Sequence, residues 1–192
     1  MLILVRHGRT ALNAAGLLQG RVDEPLDEIG QRQAVAVAGR VGAVDELITS
    51  PLLRARQTAD AFGAPYTVDD RWIELAYGIY EGVPHADVPS EAWRQWRLDP
   101  KYVPEGGESL AELNDRVLEA CGELADRARE RTVAVVSHVS PIKCAVAWAL
   151  GAGIEIAWRS PLSHASICRI DVRQTGPVLF SFNEVALPSP AS

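Results

Sequence analysis

Two histidines in this chain stand just past the ends of apolar, β-branched runs. Residues 2–5 lead into Arg6, His7, Gly8 and Arg9, and residues 132–136 lead into Ser137 and His138. A third run, residues 47–49, is followed closely by Arg54. In open parallel sheets ligands collect outside the carboxyl ends of the strands, so these side chains converge if the three strands are neighbours. Two imidazoles and two guanidinium groups at one rim suit a tetrahedral oxyanion, and phosphate is the commonest in biology. A helix beginning after His138 would aim its free N–H groups, that of Val139 among them, at the same place. Taken singly, each residue reads as an ordinary surface or satisfied side chain. Their joint placement at strand ends is what points to chemistry.

The elements that must position them are legible from periodicity. The strand runs are continuous rather than alternating, as central strands covered on both faces require. One helix is predicted over residues 27–41. A second is predicted with Ser50 as N-cap and Pro51 as its first residue, because Leu52, Ala55, Ala59 and Phe62 recur at helical spacing. A third has Ser140 as N-cap, Pro141 in its first turn and Gly151 as its stop. The clearest helix carries the stripe Leu110, Leu113, Val117, Cys121, Leu124 and Ala128, with Ser109 and Glu112 at capping-box spacing. Later strands are predicted at residues 165–172 and 178–182. This alternation predicts an α/β fold, a three-layer α/β/α sandwich around a mostly parallel sheet. Residues 1–192 read as a single domain with a Pro- and Trp-containing insertion at about 83–104.

Composition narrows the partners. The 192 residues are 47% hydrophobic and 23% charged, with a formal net charge of −6. That balance argues against a surface built to hold nucleic acid or anionic lipid, so any anion site must be local. The apolar stretch before Arg6 is shorter than a secretory signal requires and no later stretch would span a bilayer, so the cytoplasm is the expected compartment. Cys121, Cys144 and Cys168 are odd in number and widely spaced, and are expected to be buried hydrophobes rather than disulfide or zinc ligands.

The segment "LVRHGRTALN" resembles the signature of the histidine phosphatase superfamily, also called the phosphoglycerate mutase-like family. "LQGRVDEPLDEIGQRQA", "SPLLRARQTA", "ELAYGIYEG", "EGGESLAELNDR" and "VVSHVSPIK" resemble its successive blocks, in order, over about residues 1–150. The resemblance implies a phosphoglycerate mutase-like fold in which His7 is the nucleophile that becomes phosphorylated. It implies that Arg6, Arg54 and His138 hold the phosphoryl oxygens, that Thr10, Asn13, Gln19, Gly20 and Val139 lie beside them, and that Glu74 is the proton donor. It further implies that the 83–104 insertion caps the pocket and that neither a metal nor a cofactor is needed. Arg9 stands where many members carry Gln or Glu and is expected to add positive potential at the pocket mouth. Glu81 ranks below Glu74 as the acid, Gly8 is expected to let the backbone turn close to the phosphate, and His85 and His164 are expected to be structural or exposed.

Those residue types suit the chemistry. A phosphomonoester dianion repels nucleophiles, so cationic donors must neutralise it and follow the charge on its equatorial oxygens. The same cations keep a neighbouring imidazole neutral, and a covalent intermediate splits hydrolysis into two displacements. Glu74 would have to carry its proton when the ester binds, give it to the departing alkoxide, and take one back from the attacking water.

The expected activity is therefore a phosphatase acting on small phosphomonoesters. A cofactor-dependent phosphoglycerate mutase is the alternative. Mutases of the family generally carry longer insertions and a C-terminal tail that shields the phosphoenzyme, and a chain ending in "VALPSPAS" shows neither plainly. A non-catalytic phosphate binder on the same fold would not need both a nucleophile and a proton donor. A homodimer is the default expectation for a soluble enzyme. Trp93 and Trp96 are expected to pack one face of a short helix, with one of them near the leaving group.

Overall fold

The computed structural model describes residues 1–185. In chain order its elements are β1 (Leu2–Arg6), α1 (Ala11–Ala14), α2 (Glu28–Val41), β2 (Glu46–Thr49), α3 (Leu53–Asp60), β3 (Thr67–Val68), α4 (Ser90–Leu98), α5 (Leu110–Glu130), β4 (Val133–Ser137), α6 (Val139–Leu150), β5 (Ser166–Arg173) and β6 (Gly176–Val185). They build one six-stranded sheet in the order β3-β2-β4-β1-β5-β6, with β3, β2, β4 and β1 mutually parallel.

The apolar runs of β1 and β4 are continuous because both faces of each strand are covered. Leu2 and Leu4, with Val133 and Val135, enter a core cluster shared with Leu113, Val117, Cys121 and Leu124 of α5 and Ile142 and Cys144 of α6. Ile3 and Val5, with Ala134 and Val136, enter the opposite cluster with Val37 of α2 and Ala55 and Ala59 of α3. The period-2 alternation of a strand thus sorts every second residue to one of two helix layers. All three cysteines are buried and unpaired.

The expected sandwich is present, and its sheet is mixed. β5 runs antiparallel to β1, and β6 runs antiparallel to β5. The two residues between β5 and β6 can make a hairpin but cannot make the long crossover that a parallel neighbour needs. Both strands extend beyond the predicted bounds. Residues 186–192, most of the C-terminal stretch on which the argument about a shielding tail drew, lie outside the described residues.

Two caps follow the sequence reading: Ser109 and Glu112 form a reciprocal capping box on α5, and Gly151 ends α6 in the left-handed region at φ 60°. Asp27, expected within its helix, instead caps α2 through Gly30 N–H. Two further starts differ. α3 begins at Leu53 with Leu52 as its cap, and Pro51 precedes the helix. α6 begins at Val139 with His138 as its cap, so Ser140 lies inside the first turn. The Ser50 hydroxyl is engaged by His138 Nε2 at 2.6 Å, and the extended backbone of His138 passes directly from β4 into helix.

Gly8 also makes room for a close approach of backbone to backbone. A Cβ at Gly8 would collide with the Gly30 carbonyl, and a Cβ at Gly30 would collide with the backbone of Arg9. The two glycines let the loop after β1 lie directly on the first turn of α2. Replacing Gly30 by Ala is expected to cost about 1–3 kcal/mol through overpacking. Replacing Gly39 of the same helix, where nothing stands within 4 Å of an added Cβ, is expected to stabilise by up to ~1 kcal/mol. Urea midpoints check the pair, and equal responses would contradict the close approach.

Candidate active site

The β1–β4 register sets the site. Arg6 pairs with Ser137, so the next residues, His7 and His138, emerge together at the carboxyl edge. His7 N–H donates to Ser137 O at 3.0 Å, and the two ring centroids lie 5.0 Å apart. His7 is 3% exposed and His138 fully buried. Burial first, and the nearby Arg54 and Arg6 guanidinium groups second, hold His7 well below its ordinary pKa. His138 is depressed in the same direction by burial, then by Arg54 and His7.

Two contacts fix the tautomer of His7. Nδ1 faces the Gly8 carbonyl at 2.6 Å, so it carries the proton and donates. Nε2 accepts from Arg54 Nε at 3.2 Å, so it bears the lone pair. The same guanidinium donates through Nη1 to Val22 O at 2.8 Å and through Nη2 to Gly20 O at 2.7 Å. Arg54 therefore ties the first turn of α3 both to the nucleophile candidate and to the loop that carries Gln19 and Gly20. Arg6 donates through Nη1 to Leu162 O at 2.5 Å, while its buried Nε has no partner among the described residues. Burial lowers both guanidinium groups to about 10, which leaves them charged at neutral pH.

The His7 backbone is held from the other side as well. Ala165 N–H donates to His7 O at 3.1 Å. Ala165 does so at φ 49°, in the left-handed region that a residue with a Cβ rarely adopts.

A cavity of about 300 Å³ opens over these groups, lined by Arg6, His7, Asn13, Gln19, Gly20, Arg54, Glu74 and Val139 of the expected set. His138 stands behind His7 and does not line it. Its Nδ1 is buried with no hydrogen-bond partner among the described residues, a feature that a bound ligand atom would explain. Thr10 also lies back from the cavity: it caps α1 and donates through Oγ1 to Gln19 Oε1 at 2.9 Å, and Asn13 Nδ2 donates to the same oxygen at 3.1 Å. Arg9 does not line the cavity. Its Nε pairs with Asp27 Oδ2 at 2.7 Å, and the N–H groups at the start of α2 and the Arg9 guanidinium both favour the charged form of that carboxylate.

Glu74 is 6% exposed, and its Oε1 accepts from Leu75 N–H at 2.8 Å and from Ser140 N–H at 3.2 Å. The earlier start of α6 is what brings that second N–H to it. Glu81 is occupied elsewhere, accepting from the N–H groups of Arg21 and Tyr77 at 3.1 Å each.

Several contributors carry no sequence signal of their own. Tyr77, Lys143, Leu17, Leu18 and Leu162 complete the cavity, and His85, though exposed as expected, lines it too. Arg21 Nε and Arg116 Nη2 both donate to the Glu74 carbonyl, at 3.0 and 3.3 Å, and Glu108 pairs with both guanidinium groups. Glu108 and Arg116 lie within "EGGESLAELNDR", so their block was visible although their task was not. Trp96 is buried in the core, and Trp93 stacks on His85 with ring centroids 6.1 Å apart. Among the described residues no group of three or more His, Cys, Asp or Glu side chains could hold a metal ion, and no helix is long and apolar enough to cross a membrane.

Comparison with known proteins agrees with this geometry. The chain is 36% identical over 176 residues to the bifunctional protein Rv2228c of Mycobacterium tuberculosis, an alignment covering 86% of this chain and 48% of that protein. It thus spans about half the length of the first curated relatives it matches. It is 36% identical over 186 residues to the probable phosphoglycerate mutase GpmB of Yersinia enterocolitica, covering 90% of this chain and 85% of the relative. Its fold superposes on a phosphoserine phosphatase mutant from Entamoeba histolytica in complex with phosphoserine, with a TM-score of 0.87 and 28% identity over 95% of this chain and 96% of that one. The family model for the histidine phosphatase superfamily (branch 1) matches residues 2–185. This chain is a member of the histidine phosphatase superfamily.

Proposed function

We propose that this chain is a phosphatase that hydrolyses small phosphomonoesters through a phosphohistidine on His7 Nε2. The observation that carries the reading is the tautomer of His7. Its Nε2 bears the lone pair, held by the Arg54 N–H that must release it when phosphorus is attacked. The residue lines the cavity beside two charged guanidinium groups, and an unprotonated imidazole is the state a nucleophile toward a phosphoryl dianion needs.

In the first displacement the Nε2 lone pair forms a bond to phosphorus as the ester P–O bond breaks, and Glu74 gives its proton to the departing alkoxide. Arg6 Nε and His138 Nδ1, both without partners among the described residues, suit phosphoryl oxygens as acceptors. His138 can donate there in the tautomer whose Nε2 accepts from the Ser50 hydroxyl. In the second displacement Glu74, now a carboxylate, takes a proton from water as that oxygen attacks phosphorus and the P–N bond breaks. His7 and the protonated Glu74 are restored, and inorganic phosphate leaves.

The mutase reading keeps a foothold in the likeness to the probable phosphoglycerate mutase. The likeness to the phosphoserine phosphatase favours hydrolysis. The two share the phosphoenzyme and differ in whether water or a second hydroxyl receives the phosphoryl group.

Quenched turnover with a panel of phosphomonoesters is expected to release phosphate and to leave an acid-labile, base-stable adduct. His7→Ala is expected to abolish both. Glu74→Gln is expected to slow turnover by about 10²–10⁴-fold. Full activity in His7→Ala would sink the mechanism, and an isomerised ester formed without free phosphate would favour the mutase.

A neutral His7 and His138 also make stability depend on pH. Their folded pKa values lie below the ordinary 6.5, so the unfolded chain binds more protons once the pH drops beneath that value. Stability is then lost on acidification, by roughly 1.4 kcal/mol per pH unit for each imidazole. Urea unfolding between pH 7.5 and 5 is expected to give a shallower loss for His138→Asn than for the unsubstituted chain. An unchanged slope would contradict a neutral His138.

A further inference from the structure

Among the described residues two that are not glycine lie in the left-handed region, Ala165 at φ 49° and Asn183 at φ 55°. Such conformations are sparsely populated and persist where the surrounding structure imposes them, often at functional sites. Both belong to one turn. Asn183 Oδ1 accepts from Ser163 N–H at 2.8 Å, two residues before Ala165. A bulge in β6 aims Asn183 there: Ile167 pairs with Glu184 and Arg169 with Ser181, so Cys168 alone faces both Phe182 and Asn183.

That turn reaches the catalytic edge twice. β5 pairs with β1 as far as Ile167 opposite Val5, and the bond from Ala165 N–H to His7 O continues the same register two residues on. At Ala165 the chain leaves the ladder. Three residues earlier the Leu162 carbonyl accepts from Arg6 Nη1 at 2.5 Å, the one hydrogen bond that the Arg6 guanidinium makes among the described residues. Arg54, by contrast, makes three, to His7, Val22 and Gly20. Arg54 is thus fixed by its own surroundings, whereas the aim of Arg6 depends on where a single carbonyl is held. An oxyanion clamp works best when its donors are fixed in advance, and a guanidinium on one anchor is free to swing unless that anchor is itself secured.

We propose that Asn183, which lines no part of the cavity, is a positioning residue for Arg6: its side chain holds the 162–165 turn so that the Leu162 carbonyl keeps the Arg6 guanidinium facing the phosphoryl site. Asparagine suits the task because it tolerates a left-handed backbone and carries an acceptor. This rests on Arg6 binding phosphoryl oxygens, as in the phosphatase reading, but not on hydrolysis.

Calorimetric binding of inorganic phosphate tests this without turnover. Asn183→Gly keeps the left-handed backbone and removes the acceptor, and is expected to weaken phosphate binding roughly 3- to 10-fold, the range of one neutral hydrogen bond. Asn183→Asp keeps the acceptor and tolerates the same backbone, and is expected to retain most of the affinity. In an Arg6→Met background Asn183→Gly is expected to have no further effect, because Asn183 acts through that guanidinium. Unchanged affinity in Asn183→Gly would overturn the role of Asn183, and so would an equal loss with and without Arg6, which marks a merely structural part; either leaves the phosphatase intact. The expected binding pattern in a chain that releases phosphate from no ester would overturn the phosphatase reading and leave Asn183 its role.

Discussion

A guanidinium can donate to an imidazole nitrogen only while that nitrogen is unprotonated, and the Arg54–His7 contact imposes that condition on the whole site. Both side chains are buried, which makes a proton on His7 costly beside a fixed positive charge. The neighbouring structure holds the contact in place. The β1–β4 register delivers His7, the start of α3 delivers Arg54, and the carbonyls of Gly20 and Val22 anchor the far end of the guanidinium. An acidic chain can support so cationic a hollow because its other arginines near the cavity are matched to carboxylates: Arg9 to Asp27, Arg21 and Arg116 to Glu108.

What could be read from the residues was whatever depends on neighbours in sequence. β1 and β4 are continuous apolar runs because helices cover both their faces, and that pattern marks central strands without any knowledge of the partners. The Ser109–Glu112 box and the Gly151 stop are equally local. The cap of α3 was misplaced where the Ser50 hydroxyl, a good cap by local rules, meets an imidazole 88 residues away, and that of α6 because the chain turns into helix directly at His138. Arg9 is paired with the carboxylate that caps α2, 18 residues on, a contact its own neighbours do not announce. The Arg21–Glu108–Arg116 group around the Glu74 carbonyl joins three distant segments, and no periodicity announces such a meeting. Gly8 was noticed for the right property, its missing Cβ, but the backbone it accommodates belongs to Gly30.

The proton donor candidate shows how such long-range contacts shape a site. Glu74 has its carbonyl gripped by two arginines on one side and its carboxylate met by the first turn of α6 on the other. A residue in an irregular segment is thereby placed as firmly as one on a strand. Precision of this kind comes from side chains that fix the backbone, since the segment has no ladder of its own.

The place of β1 within the sheet has a consequence for how the molecule is assembled. β1 precedes every other strand in the chain, yet its two neighbours are β4 and β5, which come more than 120 residues later. The Ala165 N–H that steadies the His7 carbonyl comes just before β5. A ribosome releasing this chain in order would expose a strand of bare valine, leucine and isoleucine long before anything existed to cover it. The contacts that complete the catalytic edge are thus among the longest loops to close, and loop closure of that kind slows folding. β1 must therefore wait for β4 and β5 before both its edges are paired, and the site and the sheet's interior become whole in the same late event.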